Sequence, residues 1–307
     1  MPHRVRISAP NGALAARIKE WLDDSRVCLP APVSIDIRIE PIAESAPDAR
    51  TKFGDSIIDI RSGPPANNVT IEWLPRFGRA ILEPGGTSVT AFLSEEALAQ
   101  PFDAVQLFLF DVCVLLMRRV GLHHVHAAAL RDPRGRGWCI IGASGSGKST
   151  TTSLLAKLGW SVGTDDISFM TAGSKGLTDL VAWRERVGLL PDSASAIRQS
   201  GGVPVGSRRK SGWFAEELGA PWVDRVTPEV LVFPTASADL ATSVRPLRAK
   251  EAMSRLMHSS QWVSLDGDLA DEHLGLMTRL ATQARAFDAT VGRDLFDRPE
   301  ILAELIS

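Results

Sequence analysis

Nine consecutive residues near the middle of the chain, 142–150 (GASGSGKST), combine small side chains with one lysine and four hydroxyls. Gly142, Gly147, Lys148 and Ser149 fill the pattern G-x-x-x-x-G-K-[ST]; Ala143, Ser144, Gly145 and Ser146 lie inside it and Thr150 follows. Such a loop turns tightly and lets backbone N–H groups approach phosphate oxygens. Lys148 has the reach and charge for outer phosphates, the Ser149 hydroxyl suits Mg²⁺, and the following helix would aim its positive end at the anion. All nine residues are therefore expected to bind nucleotide, with ATP and Mg²⁺ as the cofactors.

Other residues could complete a phosphotransfer site. His126 lies sixteen residues before Gly142; Asp165 and Asp166 lie seventeen and eighteen residues after Lys148. Phosphoryl transfer requires held phosphates, charge neutralisation and a group that accepts the nucleophile's proton. One aspartate could be the base and the other could help hold Mg²⁺, and adjacent carboxylates shift each other's pKa. Each residue has a plainer alternative: His126 as a strand histidine bonded to backbone, the aspartates as turn formers or caps. SRRKSGWF, with Arg208, Arg209 and Lys210, reads either as a solvated loop or as a contact for phosphate or an acidic substrate. Arg184 and Arg186 alternate with Trp183 and Glu185, as along one strand edge, and could face the nucleotide.

The order HAAAL, GASGSGKST, LGWSVGTDD resembles the core of HPr kinase/phosphorylase and its relatives, serine protein kinases built on a P-loop. The resemblance covers residues 122–170. It implies Asp165 as the general base, Lys148 and His126 as its catalytic partners, and Asp166 as the neighbouring acid at the metal with Ser149. The bifunctional enzymes carry a Glu-Val-Arg-Gly-Leu-Gly segment, and WRERVGLL is its nearest counterpart here. On that alignment Glu185 is a metal ligand and Arg186 a phosphate contact. The better match is the divergent group found with peptide-maturation systems, some of whose members phosphorylate lasso-peptide precursors. A peptide or small-protein acceptor and a homo-oligomer are thereby implied.

These residues need elements to hold them. GWCII before the loop reads as a buried strand and TTSLLAKL after it as a helix with Leu154, Leu155 and Leu158 at helical spacing. HVHAAAL and GWCIIG read as strands joined by the turn RDPRGRG, EVLVFP as a further strand, and DRPEILAELI as a closing helix. The expected class is α/β, a P-loop core over residues 101–307 preceded by a smaller α+β domain over 1–100. In the latter, HRVRIS, SIDIRIE, DSIIDIR and VTIEW alternate as strands of an antiparallel sheet, and Asn11 suits a helix cap. Residues 101–121 read as a helix of the second domain, stopped by Gly121.

Composition narrows the partners. A net charge of −2 offers nothing to nucleic acid. The apolar run 104–117 is too short to span a bilayer and contains Asp111. Three scattered cysteines and a charged start without a signal-peptide core fit a cytoplasmic, reducing setting. Two further readings stay open: a P-loop kinase of a small molecule, and an NTPase that transfers nothing. The second lacks an LSGGQ-like signature and an acid pair at the end of EVLVFP.

Overall fold

The structure, a computed structural model, describes residues 5–42, 51–53, 56–63, 68–74, 76–205, 210–264 and 267–307. The chain divides into two units, Met1–His123 with Val263–Asp271, and His124–Trp262 with Glu272–Ser307.

The first unit carries strands β1 (Val5–Ser8), β2 (Val33–Ile39), β3 (Thr51–Phe53), β4 (Ser56–Gly63), β5 (Asn68–Leu74), β6 (Gly78–Leu82) and β7 (Ser88–Leu93). Its helices are α1 (Gly12–Asp24), α2 (Glu95–Leu98) and α3 (Phe102–Arg118). The sheet runs β1-β2-β7-β6-β5-β4-β3. It is mixed rather than antiparallel, because α1 returns the chain so that β1, β2 and β7 lie parallel. Asn11 caps α1, its Oδ1 accepting from Ala13 N (2.9 Å) and Leu14 N (3.1 Å). Alternation along β2 buries Val33, Ile35 and Ile37. Helix α3 is buried nearly all round and packs on β2, β5 and β6. It therefore belongs to the first unit, and the break follows His123 rather than residue 100.

The second unit opens with β8 (His123–Arg131), β9 (Gly137–Ile141), α4 (Lys148–Lys157), β10 (Ser161–Thr164), β11 (Ile167–Ala172) and β12 (Thr178–Ala182). It continues with β13 (Val187–Leu189), α5 (Pro191–Ala196), β14 (Val203–Val205), β15 (Lys210–Trp213), β16 (Arg225–Val226), β17 (Pro228–Ala236), β18 (Ser243–Leu247) and α6 (Ala249–His258). The chain closes with α7 (Gly267–Gln283), β19 (Arg285–Val291), α8 (Asp294–Asp297) and α9 (Ile301–Ile306). The main sheet runs β16-β12-β11-β8-β9-β17-β19-β18, with β10 added on β8. Strands β9, β17 and β19 are parallel at its centre. The closing helix is shorter than its sequence pattern, starting at Ile301.

Helix α4 buries Leu154 and Leu155 in a core with Trp138 and Trp160, whose rings meet edge-on at 4.8 Å. Burying each leucine is worth about 1.5–3 kcal/mol. Leu158 caps the helix and is partly exposed. This packing fixes the point where β9 ends and α4 begins, which sets the position of the loop. Among the described residues, no helix is long and apolar enough to cross a membrane.

Candidate functional site

The glycine-rich stretch spans the gap between β9 and α4. Gly147 stands at φ +98°, a left-handed conformation that a Cβ would strain, and leads straight into Lys148 as the first helical residue. Lys148 turns back over the loop and is almost fully buried. Its Nζ donates to Gly142 O (2.7 Å) and to His126 Nε2 (2.8 Å), and stands 3.3 Å from Asp166 Oδ1. His126 Nε2 also lies 3.1 Å from Asp166 Oδ1. Three segments distant in sequence thus meet at one ammonium group.

Strand β8 brings His126 there. Its neighbours hold it on both sides: His126 N donates to Ser259 O, and Ala127 N to Asp166 O. Burial first, then the charges of Lys148 and Lys210, hold the His126 pKa below its ordinary value, with Asp166 opposing them. The neutral imidazole accepts from Lys148 through Nε2, so its proton belongs on Nδ1.

The two adjacent aspartates have different surroundings. They follow β10, whose Gly163 admits no side chain: an added Cβ would meet Ala182 Cβ and Val223 O at 2.8 Å. Thr164 Oγ1 then accepts from Asp166 N (3.2 Å) and Ile167 N (3.1 Å), shaping the turn. Asp165 is 3% exposed, and its carboxylate takes a hydrogen bond from the Ser149 side chain. Burial, then the charge of Asp166, pushes its pKa up to about 6 against the opposing Ser149 bond and the charges of Lys210 and Lys148. Asp166, with a side chain 45% exposed, lines the cavity over the loop.

Glu185 joins the two acids from the segment between β12 and β13. Its Oε1 accepts from Thr164 Oγ1 (2.7 Å) and Ile167 N (3.0 Å). Burial, with Asp165 and Asp166 nearby, raises its pKa well above the usual carboxylate range. Three acidic groups therefore crowd one another beside a single buried lysine, and a divalent cation bound among them would favour their charged forms. Among the described residues, no three His, Cys, Asp or Glu side chains form a ready-made cage. Ser149 and one aspartate of the pair would hold a Mg²⁺ ion completed by phosphate oxygens and water, the usual Mg²⁺ arrangement; Glu185, whose Oε1 is taken by Thr164 and Ile167, does not line the cavity. Ser146 Oγ and Thr151 Oγ1 are buried without a hydrogen-bond partner among the described residues, unspent polar capacity at the loop.

The cavity over the loop has a volume of about 640 Å³. Ala143, Ser144, Gly145, Gly147, Lys148, Ser149 and Thr150 all line it, and Thr150 Oγ1 donates to Ser193 Oγ (3.2 Å). Gly142 is behind the wall, where its carbonyl holds Lys148. Lys210 from β15, which the sequence offered as either a phosphate contact or a solvated loop residue, lines the cavity, and so do Arg293 and Phe296 after β19, which the sequence did not single out. Lys210 had a signal, its basic neighbourhood. The other two have no local pattern that marks them.

Arg184 and Arg186 do not face this cavity. Residues 183–186 lie between strands β12 and β13, not within one. Both guanidinium groups stack on the Phe214 ring, 4.0 and 3.9 Å from its centroid. Arg184 pairs with Glu216 (3.2 Å) and Arg186 with Glu217 (2.8 Å). They tie the segment carrying Glu185 to the turn at Ala215–Leu218. Arg209 lies outside the described residues.

Comparison with known proteins adds little. No protein-family model and no curated protein matches the chain. Among solved structures it is similar to the Hpr(Ser) kinase/phosphatase from Coxiella burnetii, at 11% identity and a TM-score of 0.31, over 60% of this chain and 88% of that one. A likeness at that level carries no functional weight, so the chemistry rests on this chain's own residues.

Proposed function

We propose that the protein is an ATP- and Mg²⁺-dependent kinase that phosphorylates a hydroxyl group, the serine of a peptide or small protein being the acceptor class that the residue pattern favours. The observation that carries this reading is the meeting of Lys148, His126 and Asp166 at the mouth of the glycine-rich loop, with Asp165 bound to Ser149 behind them. Lys148 and the loop N–H groups would hold the phosphates, and Mg²⁺ on Ser149 and Asp165 would neutralise their charge.

The sequence resemblance assigns the base to Asp165. Accessibility favours Asp166 for that role, because its carboxylate opens on the cavity while Asp165 is buried on Ser149. Asp165 is then the residue that aligns Ser149 and the metal. Neutral His126 would hold Lys148 in register, and Lys148 in turn Asp166. An attacking water needs the same base as an acceptor hydroxyl, so label entering an acceptor is what separates transfer from hydrolysis.

Purified protein, Mg²⁺, γ-labelled ATP and a library of serine-containing peptides provide the test. Label should enter peptide with the wild type. Asp166→Asn should bind nucleotide normally and lose transfer by ~10²–10⁴-fold, the usual scale of general-base loss. Asp165→Asn should instead weaken Mg²⁺-dependent nucleotide binding. Full transfer by Asp166→Asn would return the base role to Asp165. ATP hydrolysis without label in any peptide or small hydroxyl compound would reduce the protein to an NTPase.

A further inference from the structure

A second cavity, also of about 640 Å³, shares the His126 wall. It shares His126 and Ala143 with the cavity over the loop, and Gly142 lines it too. Transfer of a phosphoryl group needs attacking and leaving oxygens roughly in line, on opposite sides of the phosphorus. A nucleotide lying along the loop would thus present its terminal phosphate to a chamber that meets the loop at its first residues. The second cavity meets the loop there, at Gly142 and Ala143.

Its walls are chemically unlike those over the loop. Trp262 and Phe233, both buried, give it an apolar body together with Pro234 and Ile141. The Trp262 ring is braced edge-on by His124 at 6.2 Å, and His124 itself lies against Phe169 at 5.7 Å. The polar end carries a guanidinium and an imidazole. Arg255 and His258 line the chamber, and among the described residues no carboxylate does. Arg255 sits over the Phe233 ring and gives one guanidinium nitrogen, Nη1, to Asp288 (2.7 Å). That bond fixes its direction and leaves further N–H groups for a ligand. The volume falls in the range of small-molecule pockets, about 300–1,000 Å³.

We infer that this chamber is the acceptor site, and that it takes a hydroxyl group carried on a partly apolar body with an anionic group at the Arg255–His258 end. This rests on the kinase reading above and sharpens its substrate class. The acceptor oxygen, entering past His126, bonds to the γ-phosphorus of ATP. The bond from that phosphorus to the β–γ bridging oxygen breaks, ADP leaves with its electron pair, and the hydroxyl proton passes to Asp166. A free hydroxy acid and a short peptide segment present the same chemistry.

The test measures occupancy apart from turnover. Binding of 4-(hydroxymethyl)benzoate, its uncharged analogue 4-methylbenzyl alcohol, and serine pentapeptides with and without an acidic residue is followed by ligand-observed NMR. The full-length protein is used, with a non-hydrolysable ATP analogue present. The anionic members should bind the wild type at least ~10-fold more tightly than the neutral ones. Arg255→Met should erase that preference, and Thr235→Trp, which fills the chamber from an exposed strand position, should abolish binding. Affinity for the nucleotide analogue should stay within about twofold in both variants, which also reports that they are folded. Whichever arm binds, benzoate or pentapeptide, identifies the source of the hydroxyl. No binding by any member, or binding unchanged in Thr235→Trp, overturns the inference. Failure of the wild type to bind the nucleotide analogue instead overturns the kinase reading.

Discussion

Buried acids occur in both units, and their partners differ. In the first unit Asp59 on β4 stands directly opposite Glu72 on β5, and Glu72 opposite Arg79 on β6. Arg61 reaches both acids and Arg79 pairs with Glu72 at 2.6 Å, so two carboxylates meet two guanidinium groups. In the second unit burial and neighbouring carboxylates raise the pKa values of Asp165 and Glu185, with Lys148 and Lys210 opposing the shift at Asp165. One cluster is electrically complete within the fold. The other is left in deficit beside a cavity. Such a deficit costs stability and persists where a ligand supplies the missing charge, which is how a structural charge cluster and a binding site can be told apart without a ligand present.

The contrast breaks first at Lys148. Lys148→Met should lower phosphotransfer by about 10³-fold or more, the scale seen when a preorganised electrostatic contact is lost, as measured by label transfer from ATP. Arginine changes in the first unit should leave transfer untouched while the protein is folded.

Next in size is Asp111 on α3, a buried acid whose pKa burial pushes up to about 8. A carboxyl raised in the folded state contributes full stability below its unfolded value near 4, and that stability is lost as pH rises towards about 8. Asp111→Asn should remove this decline, by on the order of a few kcal/mol at pH 9. Urea midpoints at pH 5 and pH 9 would show it as a variant advantage only at the higher pH.

Arg79→Ala should cost about 1–3 kcal/mol, less than a fully buried pair because Arg79 is partly exposed and Arg61 remains on Glu72. Denaturant unfolding would measure it. Removing an acid from the second cluster should do the reverse. Asp165→Asn should stabilise the nucleotide-free protein at pH 7 by about 1–2 kcal/mol, since it neutralises a carboxylate that burial and Asp166 disfavour. The same variant should erase a weakening of Mg²⁺–nucleotide binding as pH falls through about 6. A loss of stability in Asp165→Asn would mean that its bond to Ser149 outweighs the crowding, and the contrast between the clusters would fail.

Local patterns made a large part of the site legible. The loop, its flanking strand and helix, His126 and the aspartate pair all depend on short-range spacing, and the structure brings Gly142 O, His126 and Asp166 of that set to the Lys148 ammonium group. The alternation of β2 and the Asn11 cap were legible for the same reason. Arg184 and Arg186 misled because alternation suggested a strand, whereas Phe214 and the Glu216–Glu217 turn, some thirty residues on, capture both side chains.

What the sequence determined by itself was chemistry set by neighbours along the chain: a cradle for phosphate, a lysine and a hydroxyl at a helix start, and two acids in a row. Tertiary structure decided what those groups experience. It buried Asp165 on Ser149 and left Asp166 open, because the Gly163–Thr164 turn faces the two side chains into different surroundings. It assembled a second chamber from β8, β9, β17 and the end of α6, segments more than a hundred residues apart. Burial and charge balance depend on what packs from elsewhere, and no spacing along the chain encodes that.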